Sequence, residues 1–377
     1  MRNATFAIVA LLLAIGAAAA YWSMHSAPPP PAVTAKAEPP DAGEALKVVV
    51  APASESAKRA ALVLPNGPSE DAQAVLGAPP VPAPPDAGSE EQDYLPERQV
   101  EWVAELDLEP GGSVTTAQLQ RVFSPDWMAA NGNPIIHGLA AANHRWTYVG
   151  AADSEAAFTQ LQLAWRLIDF DGGKAFDARR AKALQQALEL QRKKVSTVAV
   201  RFSLEPTAAA KRAEQLEALR KDLQEAEIDL LLLAPEAQPF DARIAWDVLS
   251  CLGLEWGDGD SFHWNNPNSA AGDESLFSVS TSTPPGYLLP EVVAKGELKL
   301  EDLGFGFYVP RTHDPLAVLE AMLRGAKYAQ KRLGGTLATP DGQPLDEEKL
   351  RARVKEAAGK LQDFGFEPGS KPVLQLL

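Results

Sequence analysis

The chain has 377 residues, of which 46% are hydrophobic and 31 are prolines, and its formal net charge is −15. This length leaves room for one to three folded domains, whereas the acidic charge argues against a nucleic-acid surface, which needs a basic footprint. The single cysteine, Cys251, excludes an internal disulfide framework and a multi-cysteine metal site.

A membrane anchor is predicted near the N-terminus, after a short flank at residues 1–4. The run Thr5–Trp22 contains no charged residue and is rich in Ala, Leu and Ile, at the lower limit of length for a membrane-spanning helix. Tyr21 and Trp22 would then lie at the membrane interface. The alternative is a cleaved signal peptide with Ala18–Ala20 as its small-residue site, but the aromatic pair directly after that site favours a retained anchor.

The charges that flank this run bear on its orientation. Arg2 precedes the run, and no Lys or Arg follows it until Lys36. The two flanks of the run therefore differ by only one or two positive charges. By the positive-inside rule, this small difference favours an N-terminus inside the cell and the bulk of the chain outside it.

Residues 23–98 are predicted to be a disordered Pro/Ala-rich linker. They consist mainly of Pro, Ala, Glu, Asp and Ser, and include the four-proline run Pro28–Pro31. Such a segment buries too little apolar area to offset its chain entropy and samples extended, polyproline-like conformations. It would act as a tether.

The fold class predicted for the rest of the chain is α+β, with two split β-α-β type units, each an antiparallel sheet covered by helices on one face. In the first unit, residues 99–226, hydrophobic periodicity predicts strands at Val100–Leu108, His144–Gly150 and Val195–Leu204, and helices at Thr115–Ser124, Ser154–Asp169, 176–193 and Ala208–Ala226. In the second, residues 227–365, it predicts strands at Ile228–Pro235, Asp260–Asn266, Leu276–Thr283 and Leu303–Pro310, and helices at Phe240–Leu254, Asp314–Leu333 and Leu345–Gly365. Residues 366–377 form a tail.

The order of these elements suggests that the second unit repeats the first. The nearest counterparts are Val195–Leu204 with the charged helix after it, and Leu303–Pro310 with the amphipathic helix after it. We therefore expect 99–226 to be a diverged copy of 227–365.

The sequence gives no support for catalysis. Gly304 and Gly306 lie within a strand pattern and not in a phosphate-binding loop, and the five histidines do not pair at metal-ligand spacings. Trp256 and His263 could line a pocket, but packing in a small sheet explains them better. The prediction is a protein that is not an enzyme and has no cofactor or metal.

Three segments carry a resemblance to a known family: Gly253–Trp264, Leu276–Glu291 and Leu303–Val354. Together they resemble the C-terminal domain of the ZipA family, membrane-anchored cell-division proteins that bind FtsZ. The layout of an apolar N-terminal span, a Pro-rich linker and a folded C-terminal domain is also similar to that family. The resemblance implies an adaptor that tethers the FtsZ ring to the inner membrane, with cytoplasmic folded domains.

The resemblance also implies a binding site. In the family, an open sheet face forms a shallow apolar groove for the C-terminal peptide of FtsZ. The corresponding positions here are Leu230, Leu232, Gly259, Ser280, Ser282, Gly306 and Tyr308. The family has large apolar side chains where this chain has Gly259, Ser282 and Gly306, so either the groove is deeper or the peptide site is lost.

A second hypothesis follows from the charges around Thr5–Trp22. If the folded domains lie on the periplasmic side, FtsZ is out of reach. The chain would then be an exported two-unit protein that kept the fold and binds another peptide or an envelope ligand.

Overall fold

The computed structural model describes residues 55–81, 94–153, 156–168, 175–195, 197–268 and 275–377. The predicted anchor at Thr5–Trp22 lies outside these ranges, as does much of the predicted linker. Within them, every helix is too short or too polar to cross a membrane. The anchor therefore stays a prediction.

The N-terminal unit, Glu101–Leu223, is an antiparallel sheet packed against helices. Its strands are β1 (Glu101–Leu108), β2 (Val114–Thr115), β3 (Ile135–Ala140), β4 (Trp146–Tyr148), β5 (Ala157–Arg166) and β6 (Thr197–Phe202). Its helices, numbered after α1 (Glu55–Ala61), are α2 (Thr116–Val122), α3 (Pro125–Ala130), α4 (Ala178–Arg192) and α5 (Pro206–Leu223). The strand order is β4-β3-β5-β1-β6, and β2 pairs with β5.

Strand β5 corrects the prediction of a helix at Ser154–Asp169. Apolar residues at Phe158, Leu161 and Trp165 fit a helical period, but Leu161, Leu163 and Trp165 equally fit the period of a strand. Since β5 lies between β1 and β3 at the centre of the sheet, both of its faces are buried, and tertiary pairing decides between the two periods. Strand β3 was not predicted at all.

The C-terminal unit, Glu227–Asp363, is a second antiparallel sheet with helices. Its strands are β7 (Glu227–Leu233), β8 (Phe240–Asp241), β9 (Glu255–Trp256), β10 (Phe262–Asn265), β11 (Ser275–Ser280), β12 (Lys299–Leu300), β13 (Asp302–Tyr308) and β14 (Thr336–Ala338). Its helices are α6 (Ala242–Cys251), α7 (Pro290–Lys295), α8 (Pro315–Leu333) and α9 (Glu347–Asp363). The main sheet runs β14-β7-β13-β11-β10-β9, while β8 and β12 pair separately. These findings confirm the α+β class.

The two main sheets share part of their strand order. The run β6-β1-β5 in the first corresponds to β14-β7-β13 in the second, but the next two strands are exchanged: the earlier strand β3 lies beside β5, whereas the later strand β11 lies beside β13. Within this shared run β5, followed by α4, occupies the place of β13, followed by α8, whereas Val195–Leu204 contains the edge strand β6, which occupies the place of β14. The prediction had paired Val195–Leu204 with β13 because β5 was interpreted as a helix. A common origin of the two units remains a prediction.

Residues 55–81, here called the docked segment, contradict the prediction of a wholly disordered linker. Arg59 in α1 donates two hydrogen bonds to the Glu291 carboxylate, at 2.5 and 2.9 Å. Arg324 on α8 donates to the carbonyl oxygens of Val75 and Leu76 at 2.8 and 2.5 Å, and Leu76 is only 1% exposed. Composition alone did not reveal that a few residues of this segment have partners in the C-terminal unit.

The predicted tail, residues 366–377, also has structure. Helix α10 (Lys371–Leu376) buries Val373 and Leu376. Lys371 forms an ion pair with Glu97 at 2.8 Å, and the Arg166 guanidinium on β5 donates to the Gln375 carbonyl oxygen at 2.5 Å. The C-terminus is therefore held against the N-terminal unit.

Candidate functional site

The two faces of the C-terminal sheet differ in what covers them. On β7, Ile228, Leu230 and Leu232 are buried, while Asp229, Leu231 and Leu233 on the opposite face are partly exposed. The same alternation runs along β13, where Phe305 and Phe307 are buried and the glycines beside them are partly exposed. Because successive strand residues point to opposite sides, one face packs against the helices and the other stays open.

The open face is built from two rows of residues that cross the strands. The first row, called here the polar row, consists of His263 on β10, Ser278 on β11, Gly306 on β13 and Asp229 on β7. The second row consists of Ser280 on β11, Gly304 on β13 and Leu231 on β7. Both rows thus cross β13 at a glycine, so β13 contributes no side chain to the middle of the face.

The two glycines differ in the space above them. A Cβ on Gly304 would lie 3.4 Å from Leu231 Cδ2, which is an ordinary contact. A Cβ on Gly306 would overlap Asp229 Oδ1, so the carboxyl of Asp229 leans over this glycine. Gly304 therefore forms the floor of a trough between the side chains of Leu231 and Ser280, while Gly306 makes room for a carboxylate.

Burial changes the proton affinity of this carboxyl. It raises the pKa of Asp229 to about 7, and the neighbouring Glu227 carboxylate adds to the effect, whereas Arg353 opposes it. Burial also raises the pKa of Tyr308, at the end of β13. The face therefore carries a carboxyl that holds its proton more tightly than an ordinary aspartate does.

Three of the seven predicted site residues lie on this face. Ser280 is exposed, Gly306 is partly exposed, and Tyr308 is half-buried at the end of the strand. The Tyr308 hydroxyl donates to the Leu223 carbonyl oxygen at 2.9 Å, which ties this end of the face to helix α5.

Leu230 and Leu232 are corrected by the structure. They were predicted to face outward, yet both are fully buried on the helix-covered face. The run Ile228–Leu233 contains four consecutive leucines, so hydrophobicity alone does not assign its register. The polar residue Asp229 was the available signal, because it places Leu231 and Leu233 on the open face with it.

Gly259 and Ser282 lie in turns outside the strands. Gly259 has a φ of +62°, in the left-handed region that favours glycine. The Ser282 hydroxyl and backbone N–H both donate to the Asp302 carboxylate, which Thr281 also contacts. Ser282 therefore holds the turn after β11 in place, and it is not a floor residue of the trough.

Sequence reasoning missed Asp229, Leu231, Ser278 and Gly304. Ser278 and Ser280 are two positions apart on β11 and so lie on the same face of the sheet. The selection of Ser280 therefore implied Ser278 as well. Gly304 and Gly306 alternate in the same way along β13, but only one of them was selected. The strand period would have recovered all four residues once the register of β7 was known.

The C-terminal unit is thus an α+β domain in which helices cover one face of an antiparallel sheet and leave the other face open. Residues 227–356 match the family model described as ZipA, C-terminal FtsZ-binding domain. A cell division protein ZipA from Glaesserella parasuis serovar 5 (strain SH0165) is 26% identical over 135 residues, which are 36% of this chain and 48% of that protein. The chain thus spans about half the length of the curated relative it matches.

The C-terminal unit is a ZipA-like domain. The matched residues include every strand of the main sheet and both long helices, α8 and α9, apart from the last turns of α9. The resemblance carried by the three sequence segments is therefore confirmed for this part of the chain.

Proposed function

We propose that the chain is a non-enzymatic cell-division adaptor that binds the C-terminal peptide of FtsZ on the open face of its C-terminal unit. The supporting observation is the glycine-floored trough over β13 within the segment that matches the FtsZ-binding family. Because Gly304 bears no side chain, a peptide can approach the backbone of β13 closely at that position.

The affinity of such a face would be modest. Leu231 and Leu233 are the large apolar side chains of β7 on this face, and complete burial of one leucine contributes about 1.5–3 kcal/mol. Together they supply less than the roughly 8 kcal/mol of a micromolar complex. The remainder would come from close approach to the backbone at Gly304 and from polar contacts, which is consistent with an adaptor that relies on many weak contacts to a polymer.

The test of this proposal fills the trough. Gly304→Leu places a side chain over β13 where a Cβ is accommodated without backbone displacement, so we expect at least tenfold weaker binding of an FtsZ C-terminal peptide by calorimetry. Gly359→Leu is the matched control, since a Cβ on this helix glycine meets open space. Equal affinity of Gly304→Leu and wild type would reject the face as the binding site.

We further propose that Thr5–Trp22 anchors the chain in the inner membrane, with the folded units in the cytoplasm. Proximity to the membrane would then raise the effective concentration of a weak peptide-binding face near FtsZ polymers. The test fuses a reporter that is active only outside the cytoplasm after Lys47 and, separately, at the C-terminus. Two silent fusions support the proposal, while two active fusions favour the exported alternative.

A further inference from the structure

The Asp229 carboxyl lies over the centre of the polar row. His263, Ser278 and Asp229 bear polar side chains, whereas Gly306 between Ser278 and Asp229 bears none. The carboxyl leans into the space above this glycine. A side chain of a peptide bound on the open face can therefore reach it.

The Asp229 carboxyl has no side-chain partner in the described part of the chain: no side chain there forms an ion pair with it and no donor reaches it. The Arg353 guanidinium donates instead to the Glu227 carbonyl oxygen, at 3.1 Å. Asp229 is partly exposed, and its partial burial disfavours the charged form. A ligand that supplied a cationic donor on this face would therefore stabilise the carboxylate.

We propose that Asp229 is the specificity-determining residue of this face and selects a peptide with a Lys or Arg side chain, whose charge pairs with the carboxyl above Gly306. The inference rests on the proposed function and names the chemistry of its partner. The peptide would place an apolar residue against Leu231 and a basic residue against Asp229.

The spacing of the rows defines that peptide further. Leu231 and Asp229 are two residues apart on β7, which separates the rows by about 7 Å. An extended peptide along the strand meets this spacing with positions i and i+2, and a helical peptide meets it with residues one turn apart, about 5.4 Å along the helix axis. The net charge of −15 also favours a basic ligand over an acidic one.

Charged groups near Asp229 shift its pKa, and a bound ligand would shift it as well. Glu227 on β7 raises the pKa of Asp229, and Arg353 on α9 lowers it. A bound cation lowers the pKa of Asp229, whereas an apolar cover raises it further. The sign of the change on binding therefore distinguishes the two kinds of ligand.

The experiment is an NMR titration of the Asp229 side-chain carboxyl in the full chain, with and without an FtsZ C-terminal peptide. We expect the Asp229 pKa to fall by at least one on binding. Each Lys or Arg of the peptide is then replaced in turn by norleucine. One of these peptides should bind wild type about tenfold more weakly than the parent peptide does at pH 8. The same peptide should bind Asp229→Asn as tightly as the parent peptide does. Binding with an unchanged or raised Asp229 pKa would overturn the inference but leave the proposed function intact.

A second probe covers the case in which the peptide does not bind, which would refute the proposed function itself. The n-butylammonium ion carries the lysine cation without a peptide. Chemical-shift changes at Gly306 and Asp229 in wild type, absent in Asp229→Asn, would support the selection of cations. No change in either protein would reject it.

Discussion

Leu76→Ala tests whether the docked segment contributes to stability. Leu76 is buried, and a Cβ on Gly325 of α8 would lie only 3.1 Å from Leu76 Cδ2, which shows how closely the two segments pack. Truncation of a buried leucine costs about 2–5 kcal/mol where the surroundings stay fixed. Here the loss is limited by the docking free energy of one short segment, so we expect about 2–3 kcal/mol.

The assay is urea denaturation followed by tryptophan fluorescence, combined with limited proteolysis of residues 62–81. Leu62→Ala is the control, because Leu62 is 57% exposed and a substitution there changes stability by about 0.5 kcal/mol or less. If Leu76→Ala unfolds at the wild-type urea concentration and is cut no faster in this segment, the segment does not contribute and the reasoning fails.

Three further predictions concern the sheet faces and the C-terminus. Folding raises the pKa of Asp229 from 3.8 to about 7, so the free energy of unfolding falls as pH rises between these values, by up to about 4 kcal/mol. Asp229→Asn should remove this decline in thermal melts from pH 4 to 8. Gly306→Ala should destabilise the C-terminal unit by about 1–3 kcal/mol through overlap with Asp229, and by less in an Asp229→Ala background, as a double-mutant denaturation series would show. Lys371→Glu should cost about 1 kcal/mol by repelling Glu97, and Glu97→Lys should restore the loss in urea denaturation of the double variant; a double variant no more stable than Lys371→Glu would contradict the pairing.

The sequence predicted the C-terminal unit better than the N-terminal unit for a physical reason. Strands β7, β10, β11 and β13 lie within their predicted segments, give or take a residue, because β11 alternates and β13 is bounded by Pro310. In the N-terminal unit, β5 lies at the centre of the sheet with residues of both faces buried, so its pattern does not distinguish a strand from a helix. Propensity is local, whereas strand pairing is not.

The candidate site was predicted in part for a similar reason. Ser280 and Gly306 follow from strand periodicity, but Leu230 and Leu232 were placed on the wrong face because β7 is leucine on both sides. The role of Gly306 depends on Asp229, which is 77 positions away in the sequence and opposite it in the sheet. Such a pair is visible only after the strand register is known.

The docked segment determines how the chain would transmit tension. Residues 55–81 precede the N-terminal unit in the sequence, yet they contact α7 through Arg59 and α8 through Arg324 and Arg332. The segment also bonds α6, through Ser69 to the Asp247 carboxylate and through the Ala72 N–H to the Cys251 carbonyl oxygen. A pull from the N-terminal side would therefore enter the C-terminal unit through α6, α7 and α8. While these contacts hold, the force would bypass the N-terminal unit.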